Sequence, residues 1–311
     1  MELYEKFSVT PFSFGGFGES ELKIPFSLRD IRVDSVQGLL RADNFALWKD
    51  YLSGDLVEFF TRAEVALVHQ FQSGFVTGKD EEDSKKLLQK AFQCLRVVKP
   101  TRTRFSVVQY RRTKDQAVDV ISLVYPGTQL RINMPESEVL NQINGQDLDE
   151  LKRLWPKFRD LRVSGPTHLR RAMRYYETGY DTITDQDLQF TTWVTGIEAL
   201  YAYENEPCAV DLIKERILQS VGPETDIYEG MQGRSLYAPK PLFVKDVVDN
   251  LFELRHRFIH GAWAPKTWLE KPMRPAISGR ALTLPDVLRE AASFILRTGI
   301  QRRLLSANSS V

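Results

Sequence analysis

The sequence predicts an α+β protein, with a smaller mixed region of helices and strands over 1–147 and an all-helical antiparallel bundle over 148–311. Three observations predict it. Between 104 and 125 the apolar residues gather in β-branched and aromatic runs. From Leu148 they recur at helical spacing nearly to the end of the chain. The polar stretch QINGQD (142–147) separates the two patterns. With 311 residues, 42% hydrophobic and 27% charged, the chain has the composition of a globular protein with a sizeable core.

Element by element, the first 50 residues are rich in Phe and Gly (PFSFGGFGES) and suggest short strands or an irregular lead-in. DLVEFFTRAEVALVHQFQ (55–72) shows helical spacing, with His69 as a helix-surface or half-buried residue. DEEDSKKLLQKAFQCLRVVKP (80–100) predicts a second helix, opened by acids that suit the helix dipole and closed at Pro100. RFSVVQYRR (104–112) and AVDVISLVY (117–125), joined by TKDQ, predict a hairpin.

Six helical segments follow. LDELKRLWPKFRDL (148–161) carries Pro156 near its middle, which predicts a kink or break. PTHLRRAMRYYETGYD (166–181) begins with a proline suited to a first turn. TDQDLQFTTWVTGIEALYAYEN (184–205) opens on a Thr cap with an acid three residues later. Its Trp193, Tyr201 and Tyr203 read as core. CAVDLIKERILQSVG (208–222) has one apolar stripe and ends at Gly222. After a long excursion (222–240), PLFVKDVVDNLFELRHRFIHG (241–261) runs to a glycine cap. A Pro-rich loop leads to LPDVLREAASFILRTGIQRRLL (284–305).

Several function classes lack support. No run approaches the roughly 18 apolar residues of a membrane span, so no membrane partner is expected. The N-terminus has neither the basic region nor the apolar stretch of a signal peptide. Cys94 and Cys208 are the only cysteines, which fits a reducing cytoplasm better than a disulfide framework. There is no CxxC pair, no Walker loop, no GxGxxG and no GxSxG, and nothing calls for a cofactor. Net charge is +1; residues 151–311 hold 23 Lys/Arg against 19 Asp/Glu, and 1–150 hold 19 against 22. Neither half advertises nucleic-acid binding through bulk charge, so any such contact must come from a local patch.

The chemistry concentrates in LFELRHRFIHGAW (251–263), which holds Arg255, His256, Arg257 and His260 ahead of Gly261, and two of the chain's four histidines. Arginine grips a phosphate through parallel hydrogen bonds, and histidine passes protons near neutral pH. In RNA the 2′-hydroxyl is a built-in nucleophile. A proton acceptor, a proton donor and a phosphate ligand therefore suffice for cleavage without a metal. On a straight helix, residues five apart diverge by about 140°. Arg255 and His260 thus need a loosened helix end, a group from another element, or a second copy across a two-fold axis. The last turn lies at the negative end of the helix dipole, which favours cations. That position suits an acid or phosphate ligand better than a pure base. Two plainer readings compete: basic residues that merely stabilise a helix end, and a metal site on His256 and His260, which are i and i+4 but have no third ligand nearby.

The pattern Arg255-His256-Arg257-Phe258-Ile259-His260-Gly261 resembles the HEPN superfamily, specifically its Apea-like branch, whose motif is Arg, four to six residues, then His. His256 stands where that motif more often has Asn. The context extends the resemblance over roughly 166–305. RAMRYYETGYD and WVTGIEALYAYEN match an aromatic-rich helix ending near Glu-Ala-Leu, AVDLIKERILQSVG matches an arginine-bearing helix, and LFELRHRFIHG matches the motif helix. The resemblance implies a HEPN-type antiparallel bundle and a metal-independent endoribonuclease, active as a homodimer, in phage defence or as a toxin. A trigger or antitoxin would then restrain it. Carried over by position, Arg255 contacts the scissile phosphate, His260 transfers a proton and His256 supports one of them. Glu198 is a candidate to hold Arg255 or His260 from a facing helix, and Arg216 to pair with an acid or touch RNA. Arg257 and the cluster HLRRAMR, with His168, Arg170, Arg171 and Arg174, would follow an RNA backbone, against the plain alternative of a solvated helix face. The runner-up function is a non-catalytic HEPN scaffold that dimerises or binds RNA, with 1–147 as a sensory or regulatory region.

Overall fold

The computed structural model describes residues 4–12, 26–35, 65–73, 78–100, 105, 107–112, 118–124, 145–164, 166–181, 185–202, 209–229, 240–270, 273–275 and 281–306. The chain divides into two compact units, Met1–Ile132 with Ile143–Arg159, and Asn133–Gln142 with Asp160–Val311.

The first unit is built on six strands: β1 (Tyr4–Phe12), β2 (Phe26–Leu28), β3 (Ile31–Ser35), β4 (Val65–Ser73), β5 (Val107–Arg112) and β6 (Val118–Val124). They form one antiparallel sheet in the order β2-β3-β4-β1-β5-β6. The expected hairpin of 104–125 is the β5–β6 pair, from Val107↔Val124 to Arg112↔Val118. β2 and β3 close through a two-residue turn in which Arg29 takes a φ of 54°.

The helix expected over 55–72 is corrected where it is described: Val65–Ser73 is the strand β4, paired with both β3 and β1. Residues 55–64 lie outside the described residues. The reason for the difference is local. Val65, Ala66, Leu67 and Val68 are all buried, and a continuous apolar run covered on both faces carries no period that separates strand from helix.

Helix α1 (Gly78–Val98) packs on β1, β4 and β5. Its acids Asp80 and Glu81 stand in the first turn, and Leu88, Ala91, Phe92 and Leu95 form its buried face. Gln109 of β5, itself buried, donates Nε2–H to the Glu81 carbonyl at 2.9 Å. His69 is not on a helix; from β4 its Nδ1 lies 2.8 Å from Ser84 Oγ of α1, and burial holds its pKa below the usual value.

Helix α2 (Gly145–Ser164) is unbroken through Pro156. Lys99 Nζ reaches Asp147 Oδ2 at 3.0 Å, and Lys90 Nζ donates to the Arg159 carbonyl at 3.0 Å, so α1 holds α2 near both ends of their overlap. Leu151, Leu154, Trp155 and Phe158 are buried in the first unit. Most of α2 belongs to the first unit, while Asn133–Gln142, before the expected border at 147, belong to the second.

The second unit contains α3 (Thr167–Asp181), α4 (Gln186–Tyr201), α5 (Val210–Val221), α6 (Val244–Ile259), α7 (Lys266–Glu270) and α8 (Leu284–Ser306), with a two-residue β pair, β7 (Arg274–Pro275) and β8 (Ala281–Leu282). Long helices fall within a few residues of their expected spans. The short α7 and the β pair occupy what the sequence suggested was loop. α4 is capped by Asp185, whose Oδ1 accepts from the Asp187 and Leu188 N–H groups at 3.0 and 2.8 Å; the expected Thr184 lies outside the described residues. So do Tyr203, Cys208 and residues 230–239 of the excursion.

α8 is the element against which α3, α4, α5 and α6 all pack. Trp193 and Tyr201 are core residues, fully buried. Trp193 Nε1–H donates to the Tyr176 carbonyl at 3.2 Å, and Gln189 Nε2–H to the Gly179 carbonyl at 2.9 Å, which ties α4 to α3. Gly179 permits this approach: a Cβ there would lie 2.3 Å from Trp193 Nε1. Tyr180 Oη and Ser293 Oγ, 2.7 Å apart, join α3 to α8. Tyr228 Oη–H donates to Glu290 Oε2 at 2.7 Å. Among the described residues no helix is long and apolar enough to cross a membrane.

Candidate functional site

Helix α6 carries the motif, and its two ends are built differently. At the start, Thr225 O accepts from Val244 N–H at 3.0 Å, Leu242 O accepts from Ile227 N–H at 3.0 Å, and Asp226 Oδ1 accepts from the N–H groups of Tyr228 and Leu242 at 3.1 and 3.2 Å. The chain enters α6 from a pinned loop. Along the helix Val247, Val248, Leu251, Phe252 and Leu254 are buried. The ring of Phe258 meets Phe190 of α4 edge-on, 5.9 Å between centroids at 88°. That contact fixes the last turn against the bundle.

The end of α6 is exposed and still ordered by hydrogen bonds. His260 caps the helix, and Gly261 takes a φ of 70°. Gly261 N–H donates to Phe258 O at 3.1 Å and Ala262 N–H to Arg257 O at 2.8 Å. These are the two bonds of a Schellman ending, which requires a left-handed residue and so favours glycine.

Arg255 leaves the helix one turn earlier and reaches α4, where its Nη2 lies 2.7 Å from Glu198 Oε2. The side chains are 27% and 16% exposed respectively. Burial pushes the Glu198 carboxyl above its ordinary pKa, and the Arg255 charge only partly opposes that rise. Among the described residues, the enclosed Arg255 Nε has no hydrogen-bond partner. Of the two partners suggested for Glu198, it is Arg255 that the carboxylate meets.

His256 and His260 stand together on the exposed side, ring centroids 4.4 Å apart and planes inclined at 60°. Among the described residues no group of three or more His, Cys, Asp or Glu is placed to hold a metal ion. Arg257 Nε and Nη2 both donate to Glu253 Oε1, at 3.1 and 3.0 Å, along the helix surface. Its charge is shared with that acid, in an exposed i,i+4 pair of little strength.

The remaining candidates lie elsewhere in the bundle. Arg216 of α5 donates Nη1–H to the Tyr201 carbonyl at 2.9 Å, the last residue of α4. Arg170, Arg171 and Arg174 are exposed on α3, whose packing partners are α4 and α8. One residue the motif did not flag is Trp263, three positions past His260 and 81% exposed. Its signal in the sequence is a tryptophan between two alanines, outside any apolar stripe.

The site therefore offers a guanidinium held by a carboxylate, two adjacent imidazoles on an ordered helix end, and an exposed aromatic ring. Comparison with family models, with curated proteins and with solved structures finds no match to this chain.

Proposed function

We propose that the end of α6 is the active centre of a metal-independent endoribonuclease of HEPN type. The observation that carries this reading is the set of three side chains on one helix end: Arg255 anchored by Glu198 at 2.7 Å, and the exposed His256 and His260 with ring centroids 4.4 Å apart. In the proposed reaction the RNA 2′-oxygen attacks the adjacent phosphorus and the bond to the 5′-oxygen breaks. A 2′,3′-cyclic phosphate and a free 5′-hydroxyl result. The proton lost by the 2′-hydroxyl is taken up at the site, and the departing 5′-oxygen receives one. Arg255 supports the phosphate, His260 transfers a proton and His256 orients it. Glu198 is a positioning residue, since it acts through Arg255. A homodimer would bring two such helix ends into one cleft, and a trigger or antitoxin would restrain the activity.

The scaffold reading takes the same ion pair the other way: Glu198 already engages the Arg255 charge. In that reading the bundle dimerises or binds RNA without cutting it.

Cleavage of a mixed RNA pool in EDTA by wild type, Arg255→Ala and His260→Ala separates the two. The ribonuclease reading predicts metal-free cutting by wild type that falls at least on the order of 100-fold in His260→Ala, as for loss of a general acid–base group, and is lost in Arg255→Ala. Equal inertness of all three, with RNA binding or self-association intact, selects the scaffold.

A further inference from the structure

We propose that His256 and His260 form a chelate for one borderline transition ion, of the class of Zn²⁺ and Cu²⁺, which switches the site off; only the switching role rests on the ribonuclease reading. The two residues are i and i+4 at the end of α6, the spacing that sets two imidazoles on one face of a helix. Their ring centroids lie 4.4 Å apart with planes inclined at 60°, so the rings are neighbours and not a parallel stack. Two imidazoles bound side by side on one ion have a similar separation. With about 2.1 Å from ion to nitrogen, roughly 1.1 Å more to the ring centre and an angle of about 90°, the centroids stand about 4.5 Å apart. Both residues are exposed, so each ring can turn to present a nitrogen at nearly constant separation.

Three further features favour a cation here. Among the described residues, neither imidazole has a hydrogen-bond or ion-pair partner, which leaves a lone pair on each neutral ring available. The last turn of α6 is the negative end of the helix, and His260 is its cap. The guanidiniums that flank His256 in sequence are matched by acids: Arg255 meets Glu198 at 2.7 Å and Arg257 meets Glu253 at 3.0 Å. Their charge therefore opposes an incoming ion only weakly. Among the described residues no third His, Cys, Asp or Glu completes the group. Water fills the remaining positions of the ion, which makes the site exchangeable and not a structural one. Imidazole donors select Zn²⁺, Cu²⁺ and Ni²⁺ over Mg²⁺ and Ca²⁺, which take oxygen. An ion seated there occupies the nitrogen through which His260 transfers its proton.

The test titrates the full chain, stripped of metal and free of RNA, with ZnCl₂ and separately with MgCl₂ by isothermal titration calorimetry. Wild type is compared with His256→Gln, His260→Gln and, as a control away from the site, His168→Gln. Thermal melting of the metal-free variants checks that each one folds. Wild type and His168→Gln are expected to bind one Zn²⁺ per chain. Either motif variant should lose at least on the order of tenfold in affinity, the cost of removing even an outer partner of a metal ligand. Mg²⁺ should give no binding heat at the same concentrations. Unchanged Zn²⁺ binding in both motif variants overturns the chelate, as does equal binding of Mg²⁺ or a matching loss in His168→Gln. The switching role is read on RNA: Zn²⁺ in excess of EDTA should stop cutting by wild type, and further EDTA should restore it. Cutting that continues with the site filled overturns that role. Wild type that binds Zn²⁺ through both histidines but cuts no RNA in EDTA leaves the chelate standing and counts against the ribonuclease reading alone.

Discussion

Glu198 is a half-buried carboxylate that receives one guanidinium contact, and its raised pKa says that desolvation outweighs that contact. The folded protein therefore binds the Glu198 proton more tightly than the unfolded chain does. By linkage, this group adds stability that is full below its unfolded pKa and is lost as pH rises through its higher folded value. Urea titrations of wild type and Glu198→Gln across the acidic range should show wild type gaining relative stability as pH falls through that window. A difference that stays flat with pH contradicts it. The pairing itself was readable only as a suggestion that Glu198 would hold Arg255 or His260. Which group Glu198 would meet was not readable, since that depends on the crossing of α4 and α6. Arg216 shows the same limit: it donates to the Tyr201 carbonyl, and backbone carbonyls leave no mark in a sequence. At Arg29 the backbone sits in the left-handed region with φ of 54°, at a cost of about 1 kcal/mol for a residue with a Cβ. Arg29→Gly is expected to raise the unfolding midpoint by that order, measured by thermal melting; a lowered midpoint contradicts it.

At the scale of elements, Gly179 and Gly261 are needed for opposite reasons. Gly179 has no space, with Trp193 where a Cβ would stand, so Gly179→Ala should cost about 1–3 kcal/mol in urea unfolding as an overpacking change. Gly261 has open space around it and is held only by its φ of 70°. Gly261→Ala should therefore cost about 1 kcal/mol of backbone strain; a loss as large as that of Gly179→Ala would show that α6 ends against something else. The helices of the bundle were legible from apolar residues at helical spacing and from end signals at several of them, such as Pro166 before α3, Gly222 after α5 and Gly261 after α6. β4 was not legible as a strand. Its first four residues are all apolar and all buried, and its turn from helix to strand is decided by pairing with β1 and β3, which lie far away in sequence. Pro156 shows a second tertiary override: the helix runs on through it, with Trp155 and Phe158 buried on either side.

On the scale of the whole molecule, the two-part organisation was readable from the change of period, and the position of the border was not. α2 has a helical period like the bundle that follows it, yet its apolar residues are buried with the sheet unit, and no pattern in one segment reveals which core it joins. The proposed homodimer has a consequence for the full chain: specific activity on RNA should rise with protein concentration through the range where sedimentation shows the monomer converting to dimer. Activity independent of that conversion would confine the site to one copy. A 2′-hydroxyl nucleophile at the end of α6 can be tested by one substrate change. An RNA cut by wild type in EDTA is resynthesised with a single 2′-deoxy nucleotide on the 5′ side of the scissile bond, and the products are weighed by mass spectrometry. A 2′,3′-cyclic phosphate end is expected on the unmodified RNA, with no cut at the deoxy position. Cutting that continues there, or a linear phosphate formed at once, would contradict it.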